Sequence, residues 1–202
     1  MSDANQSPEV VVEHDDDVVI IRFNRPATRN SLSRTTLDAL ESIFLPLSEQ
    51  ANLKIIFTGS GDVFASGADL REIAALDAGK AKAFSQRGQA LFQMIATARP
   101  LTIAAINGYC MGGALDFALA CDLRVAASSA VFAHPGANLG IITGWGGTQR
   151  LPKLIGRSQA NELFFTARRF TAAEALQFGL VTGINDPVLD AAIKLARQTK
   201  KR

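Results

Sequence analysis

The sequence predicts an α/β fold. Short β-branched runs alternate with amphipathic stretches at helical spacing along nearly the whole chain, as strands and helices that share one core do. The composition agrees, because 48% hydrophobic and 20% charged residues are close to the average of globular domains. The length of 202 residues suits one domain that buries about 70% of its surface on folding. We therefore expect one core-forming domain, and neither a wholly disordered nor a collagen-like chain.

The N-terminal part of the chain is predicted to begin with a hairpin. Two β-branched runs, at residues 10–12 and 18–23, are separated by an acidic turn. Ser33 is a suitable N-cap for a helix with apolar residues on one face, and Pro46 is expected to end or kink that helix. A strand at residues 54–58, closed by glycines, follows.

The rest of the chain continues the alternation. Asp69 and Glu72, three residues apart, resemble a capping box at the start of a short helix. Beyond it we predict a helix, a strand, a helix and a strand at residues 81–98, 101–106, 114–120 and 123–127. Residues 107–113 are predicted to be a turn, and after three shorter helical stretches the last helix is expected at about 187–200.

Charge and cysteine usage exclude several classes of function. The 21 basic and 19 acidic residues leave a net charge of only +2, and the scattered cations give little support for nucleic-acid binding. Two cysteines, Cys110 and Cys121, make no disulfide framework, which indicates a reduced compartment. The polar start lacks the features of a signal peptide, and no apolar run is long enough for a membrane helix. We therefore expect a cytoplasmic protein that is not in a membrane.

Familiar cofactor motifs are also missing. The segment 144–147 lacks the third glycine of a dinucleotide fingerprint, and no glycine-rich stretch ends as a P-loop does. His14 and His134 have no partners at metal-ligand spacing. We predict neither a nucleotide site of these types nor a metal site.

Two glycine-rich segments, 64–70 and 107–116, each join a strand to a helix. Such turns leave backbone N–H groups free to face a ligand, and the positive end of the helix adds to their field. One donor from each segment would bracket a developing oxyanion.

The second segment permits another interpretation. Residues 108–112 read G-x-C-x-G, the context of a nucleophile elbow with Cys110 in place of serine, and His134 is a nominal base downstream. The simpler interpretation is that Cys110 is a small, buried apolar residue.

Four ordered motifs resemble the crotonase (enoyl-CoA hydratase/isomerase) superfamily. They are Arg25-Pro26 with 30–33, then 64–70, 107–127 and 144–152. The resemblance is collinear over roughly residues 10–185 and implies a crotonase-like spiral of ββα units, a coenzyme A thioester as substrate with no tightly bound cofactor, and a homotrimer or dimer of trimers. It also implies a core domain at 1–185 and a C-terminal helix at 186–202. The C-terminal helical region is shorter than in the family, and this shortening would weaken or alter the assembly.

Carried over by position, the resemblance implies individual roles. The amides of Ala68 and Gly113 would form the oxyanion hole, and the coenzyme A contacts would come from Arg29, Ser31, Ser66, Gly67, Asp69 and Leu70. The first catalytic glutamate of the hydratases falls on Asp116, three residues after Gly113, and we expect its side chain to lean toward the oxyanion hole. The alternative interpretation is that Asp116 is simply an acidic residue that the helix dipole favours in the first turn.

The second glutamate of the hydratases falls on Gly136, and the stretch 142–144, from which some isomerases take an acid, is also unacidic. His134 is a weak substitute. The leading hypothesis is therefore an acyl-CoA enzyme that stabilises an enolate, with Asp116 as the sole obvious acid/base. The alternatives are a catalytically silent acyl-CoA-binding or assembly protein, and a cysteine hydrolase built on Cys110.

Overall fold

A computed structural model describes residues 7–199 of the chain. Its strands are β1 (Val10–Asp15), β2 (Val18–Phe23), β3 (Lys54–Gly59), β4 (Val63–Ala65), β5 (Leu101–Ile106), β6 (Tyr109–Met111), β7 (Leu123–Ala126), β8 (Val131–Ala133) and β9 (Phe170–Thr171). Its α-helices are α1 (Arg34–Phe44), α2 (Leu70–Ala74), α3 (Ala78–Thr97), α4 (Gly113–Ala120), α5 (Gly147–Ile155), α6 (Arg157–Thr166), α7 (Ala172–Gln177) and α8 (Val188–Gln198).

The strands form two sheets. The larger has the order β1-β2-β3-β5-β7, with an antiparallel hairpin at one edge and parallel pairing elsewhere. The smaller has the order β4-β6-β8-β9 and is parallel except for its last pair.

A repeated structural unit connects the sheets. Beyond α1, the chain three times forms a long strand, a short strand and then helix: β3 and β4, β5 and β6, β7 and β8. Each long strand joins the larger sheet and each short strand joins the smaller one, so each repeat adds one strand to both. The parallel pairing requires such crossovers. This is the spiral of ββα units that the resemblance implies, and the predicted α/β class is confirmed.

The main core lies between the sheets and the helices, and Phe117 of α4 is at its centre, fully buried among other phenylalanines. A second cluster covers the opposite face of the larger sheet, where Val188, Ala192 and Ala196 of α8 pack against Ile56 and its neighbours. The side chains of β3 alternate between these two clusters, as the pleat of a strand requires.

Most predicted elements are present, with three corrections. Residues 107–113 are not only a turn, because Tyr109–Met111 form β6, and the short strands β4, β8 and β9 were not predicted. Strands of three residues are too short to show a hydrophobic period. The capping box at Asp69 is wrong: Asp69 does accept a hydrogen bond from Arg71 N at 2.9 Å, but Glu72 accepts one from Arg34 N in α1.

The helix boundaries agree closely with prediction. Ser33 caps α1, which ends at Phe44 ahead of Pro46, and α3 begins at Ala78 behind its cap Asp77, three residues before the predicted start. No helix within residues 7–199 is both long enough and apolar enough to cross a membrane. The division of the chain at residue 185 stays a prediction.

Candidate functional site

Two glycine-rich turns meet at the ends of neighbouring strands. Ala68 follows β4, and Gly113 begins α4 directly after β6; these two strands pair in parallel, so the turns lie side by side. A Cβ atom added to Gly113 would lie 3.4 Å from Ala68 N, and one added to Gly67 would lie 3.3 Å from Gly113 N and 2.5 Å from Met111 O. Because Gly67 also has a φ of +94°, only glycine suits this approach.

The amides of Ala68 and Gly113 donate no hydrogen bond to a backbone carbonyl of the described residues. The first N–H groups of a helix have no acceptor inside the helix, which applies to Gly113. Among the backbone hydrogen bonds of the described residues, neither Ala68 N nor Gly113 N has a carbonyl acceptor. The turn before Ala68 is held instead by Leu32, whose amide donates to Gly67 O at 2.8 Å. Two free donors therefore lie close together.

These amides lie on the wall of a largely apolar cavity. The cavity has about 900 Å³ of empty volume, part of it open to solvent. Its lining includes Leu70, Ile73, Leu76, Phe84, Leu139, Ile141 and Ile142, besides the two turns. An apolar cleft with a few converging polar groups is the usual form of a small-molecule site.

Trp145 closes one side of the cavity, a role that the sequence did not suggest. Its indole is 97% buried and packs against Phe84 and Phe92 of α3, with ring centroids 5.1 and 5.4 Å away. A Cβ atom at Gly113 would lie 2.5 Å from this ring, and one at Gly88 would lie 2.1 Å from it. The feature of the sequence that could have indicated this role is a pair of glycines, Gly88 inside the predicted helix at 81–98 and Gly113 just before the predicted helix at 114–120, since each leaves room for the indole.

Asp116 and His134 form a buried polar pair beside the cavity. Asp116 is completely buried, and its Oδ2 accepts hydrogen bonds from the Thr143 hydroxyl and from Trp145 N at 3.1 Å. Its Oδ1 lies 3.7 Å from His134 Nε2. Within the described part of the chain, Oδ1 and both imidazole nitrogens have no hydrogen-bond partner.

Burial shifts the pKa of both members of this pair. It raises the pKa of Asp116 to about 6, although the Thr143 hydroxyl and the nearby amides of Gly147 and Trp145 act in the opposite direction. Burial also lowers the pKa of His134 to about 4. At neutral pH the pair is therefore a carboxylate beside a neutral imidazole, and the 3.7 Å contact is not an ion pair.

The structure brings together some of the predicted site residues. Those that line the cavity are Ser66, Gly67, Ala68, Leu70 and Gly113. Four others do not line it within residues 7–199. Arg29 lies over the Tyr109 ring at 4.7 Å, the Ser31 hydroxyl donates to Thr28, and Asp69 caps α2 and pairs with Arg71 at 2.9 Å.

The fourth is Asp116, whose expected approach to the oxyanion hole is not seen. Its carboxylate is bonded to Thr143 and Trp145, in the loop before α5, and these contacts hold it behind the cavity wall. His134 does line the cavity.

Gly136 lies in a turn that has no room for a side chain. A Cβ atom there would be 2.5 Å from Ile141 O, and Ile141 N donates to Gly136 O at 3.0 Å. The backbone of this turn therefore leaves no room for the carboxylate that the hydratases carry at this position.

The Cys110 hydrolase is contradicted by the structure. Cys110 is fully buried in β6, and it does not line the cavity. Burial raises the pKa of its thiol well above the usual range, so the reactive thiolate does not form at neutral pH. Cys110 is a small apolar core residue.

We expect iodoacetamide to leave both cysteines of the native protein unlabelled and to label both after unfolding in urea. Cys121 is also buried, and burial likewise raises the pKa of its thiol. Mass spectrometry counts the added groups. Rapid labelling of Cys110 in the native protein would contradict this burial.

Comparison with known proteins agrees with the geometry. The family model described as enoyl-CoA hydratase/isomerase matches residues 13–202. A crotonyl-CoA hydratase from Syntrophomonas wolfei is 37% identical over 180 residues, which are 88% of this chain and 69% of that protein. A short-chain-enoyl-CoA hydratase from Clostridium acetobutylicum is 36% identical with the same coverage.

Solved structures show the same relationship. The crystal structure of an enoyl-CoA hydratase from Bacillus anthracis has a TM-score of 0.89 and 38% identity, over 94% of this chain and 76% of that one. Pseudomonas aeruginosa DspI also has a TM-score of 0.89, with 34% identity over 98% of this chain and 76% of its own. The chain belongs to the enoyl-CoA hydratase/isomerase family, within the crotonase superfamily.

Proposed function

We propose that the chain is an enzyme that binds an acyl-CoA thioester and stabilises its enolate with the amides of Ala68 and Gly113. The observation that carries the proposal is the pair of unused amides, from adjacent turns, on the wall of one apolar cavity. A fixed pair of donors stabilises the negative charge that develops on the thioester oxygen more than it stabilises the neutral carbonyl. The N-terminus of α4 adds a favourable field at Gly113.

The coenzyme A portion is proposed to lie along the turn that carries Ala68. Ser66, Gly67 and Leu70 line the cavity there, and Leu70 is 55% exposed at its edge. Ser66 N donates to Arg29 O at 3.1 Å, which places the segment containing Arg29 and Ser31 next to this turn. We propose that Arg29, Ser31 and Asp69 contribute to the outer part of the same site. Coenzyme A enters and leaves as part of the thioester, with no tightly bound cofactor.

We propose that Asp116 is the ionisable carboxylate on which the acid/base step depends. The proposal favours reactions that need one proton-transfer group: migration of a double bond, decarboxylation, or loss of water from a 3-hydroxyacyl thioester. Hydration by two carboxylates is disfavoured, because Gly136 has no carboxylate and its turn leaves no space for one.

A homotrimer or dimer of trimers is proposed for the assembly. Apolar side chains at the cavity edge support it, since Leu139, Ile141 and Ile142 are 48%, 43% and 66% exposed. A contiguous exposed apolar patch is typical of a surface that contacts another chain.

The enolate proposal is tested by deuterium exchange at the carbon next to the thioester of butyryl-CoA in D2O, together with isomerisation of 3-butenoyl-CoA and hydration of crotonyl-CoA. We expect exchange and isomerisation by the full chain, with slower hydration. Gly113→Ala keeps the amide, but its methyl group would lie 2.5 Å from the Trp145 ring, so the turn must shift. We expect this shift to reduce exchange on the order of 10²-fold, as large an effect as the loss of one oxyanion donor.

Gly79→Ala in α3 is the matched control, because the added methyl group there meets nothing nearer than 3.5 Å. We expect it to keep the wild-type rate. The silent alternative makes the opposite prediction: saturable binding of crotonyl-CoA in calorimetry, with no exchange or turnover of any of the three thioesters. That result would overturn the enzyme proposal.

A further inference from the structure

Three polar atoms next to the cavity are buried without partners. They are Asp116 Oδ1 and the two imidazole nitrogens of His134. Buried polar groups in folded proteins are nearly always hydrogen-bonded, so three orphans in one contact require an explanation. Within residues 7–199 no donor or acceptor meets hydrogen-bond geometry with any of the three atoms.

The surroundings of the pair fix its geometry. His134 follows β8 directly, and its ring packs against Phe164 of α6 with centroids 4.9 Å apart. Asp116 is held by Thr143 and by Trp145 N. The two side chains therefore face each other across 3.7 Å, with His134 on the cavity wall and Asp116 behind it.

We propose that His134 is the catalytic proton-transfer residue of this site and that Asp116 is a positioning residue that acts through it. The inference rests on the enolate function proposed above and assigns the group that touches the substrate. It depends on His134 lining the cavity, Asp116 not lining it, and the contact between them.

The chemistry follows from the two nitrogens of a neutral imidazole. One carries a proton and donates, and the other accepts. Because the carboxylate Oδ1 lies nearest Nε2, Asp116 favours the tautomer with the proton on Nε2, and the lone pair is then on Nδ1. A carboxylate that orients a histidine in this way also stabilises the imidazolium that forms when the other nitrogen takes a proton.

The step balances without another reactant. His134 Nδ1 takes a proton from the carbon next to the thioester of a 3-enoyl-CoA, and the C–H electron pair enters the dienolate, whose charge lies on the oxygen at Ala68 and Gly113. The imidazolium then returns that proton to the γ-carbon. The double bond moves to the 2,3 position and the charge on oxygen disappears. One proton-transfer group is enough, which agrees with the closed turn at Gly136.

Other titratable groups near the pair do not replace it. Asp116 is also faced by Arg150 of α5 and by the thiol of Cys110 in β6. The guanidinium stays charged over the working range, and burial keeps the thiol protonated. We therefore expect the pH dependence of the rate to follow the ionisation of Asp116.

The test is His134→Gln in the full chain, measured by exchange into butyryl-CoA and by isomerisation of 3-butenoyl-CoA. We expect kcat to fall at least 10²-fold with KM changed less than threefold, because glutamine fills the site and cannot take the proton. His14→Gln makes the same change on the exposed part of β1, and we expect wild-type kinetics from it.

Asp116→Asn tests the positioning role. In the wild type, the rate is expected to rise with pH through about 6 as Asp116 ionises. In Asp116→Asn we expect a lower kcat and no rise near pH 6, an effect that a merely structural role would not produce. A rise near pH 6 that persists in this variant would overturn the role of Asp116.

The two proposals fail in different ways. Wild-type rates in His134→Gln, together with a large loss in Gly113→Ala, would overturn the role of His134 and leave the enolate function standing. Absence of exchange by the wild type would overturn both. If His134→Gln does not fold, ¹⁵N chemical shifts of His134 in the wild type decide: protonation on Nε2 at neutral pH supports the proposal, and protonation on Nδ1 overturns it.

Discussion

Phe117→Ala is expected to lower the free energy of unfolding by about 3–5 kcal/mol, the usual loss for a large aromatic side chain removed from a core. Phe117 is fully buried in α4, and its ring is surrounded on several sides. The centroids of Phe57, Phe23 and Phe92 lie 4.9, 5.3 and 5.3 Å from its own, each in an edge-to-face arrangement. Strands β2 and β3 and helix α3 all lose their contacts with α4 together, so the cavity left behind cannot close easily.

Urea denaturation measures this loss, with Phe165→Ala of α6 as the matched control. Phe165 is 78% exposed, and we expect its removal to change the stability by no more than about 0.5 kcal/mol. Equal losses in the two variants would show that Phe117 is not the centre of the core.

Replacing Asp116 and replacing His134 are expected to change the pH dependence of the free energy of unfolding in opposite directions. The folded pKa of His134 is about 4, below its ordinary 6.5, so its contribution to stability rises with pH between these values. The folded pKa of Asp116 is about 6, above its ordinary 3.8. Its contribution is fully present below 3.8 and is lost as the pH rises to about 6. In the wild type the two contributions nearly cancel.

In each variant only the other member of the pair still titrates, so its effect on stability is no longer cancelled. We expect Asp116→Asn to lose stability relative to the wild type as the pH falls from 6.5 to 4, and His134→Gln to lose it as the pH rises from 4 to 6. The amplitude is on the order of 3 kcal/mol in each case. Denaturation curves at several pH values measure it, and curves for both variants that run parallel to the wild type would contradict the burial of the pair.

The sequence was a good guide where local signals are strong. The β-branched runs predicted β2, β3 and β5, and Ser33 and Pro46 correctly bracketed α1. The two glycine-rich turns between strand and helix were recognisable from residue type alone, and Ala68 and Gly113 were singled out within them by the resemblance to the crotonase superfamily. The two turns do lie side by side, and the role of their amides stays a prediction.

Other features depend on distant contacts that carry no local signal. The direction of Asp116 is decided by Thr143 and Trp145, 27 and 29 residues later. Glu72 contacts the amide of Arg34, 38 residues earlier, in preference to its own helix. Short strands such as β8 exist because the smaller sheet needs a third parallel member, and this requirement is not visible in three residues.

The absence of a side chain at Gly88 has a consequence for the evolution of this site. Trp145 occupies the notch that Gly88 leaves in α3, and its ring in turn borders Gly113. Any larger residue in the notch would displace the indole toward Gly113 and into the cavity. Helix α3 thereby sets how much room the cavity has, so variation in α3 offers a route to a cavity of another size without altering the two amides themselves.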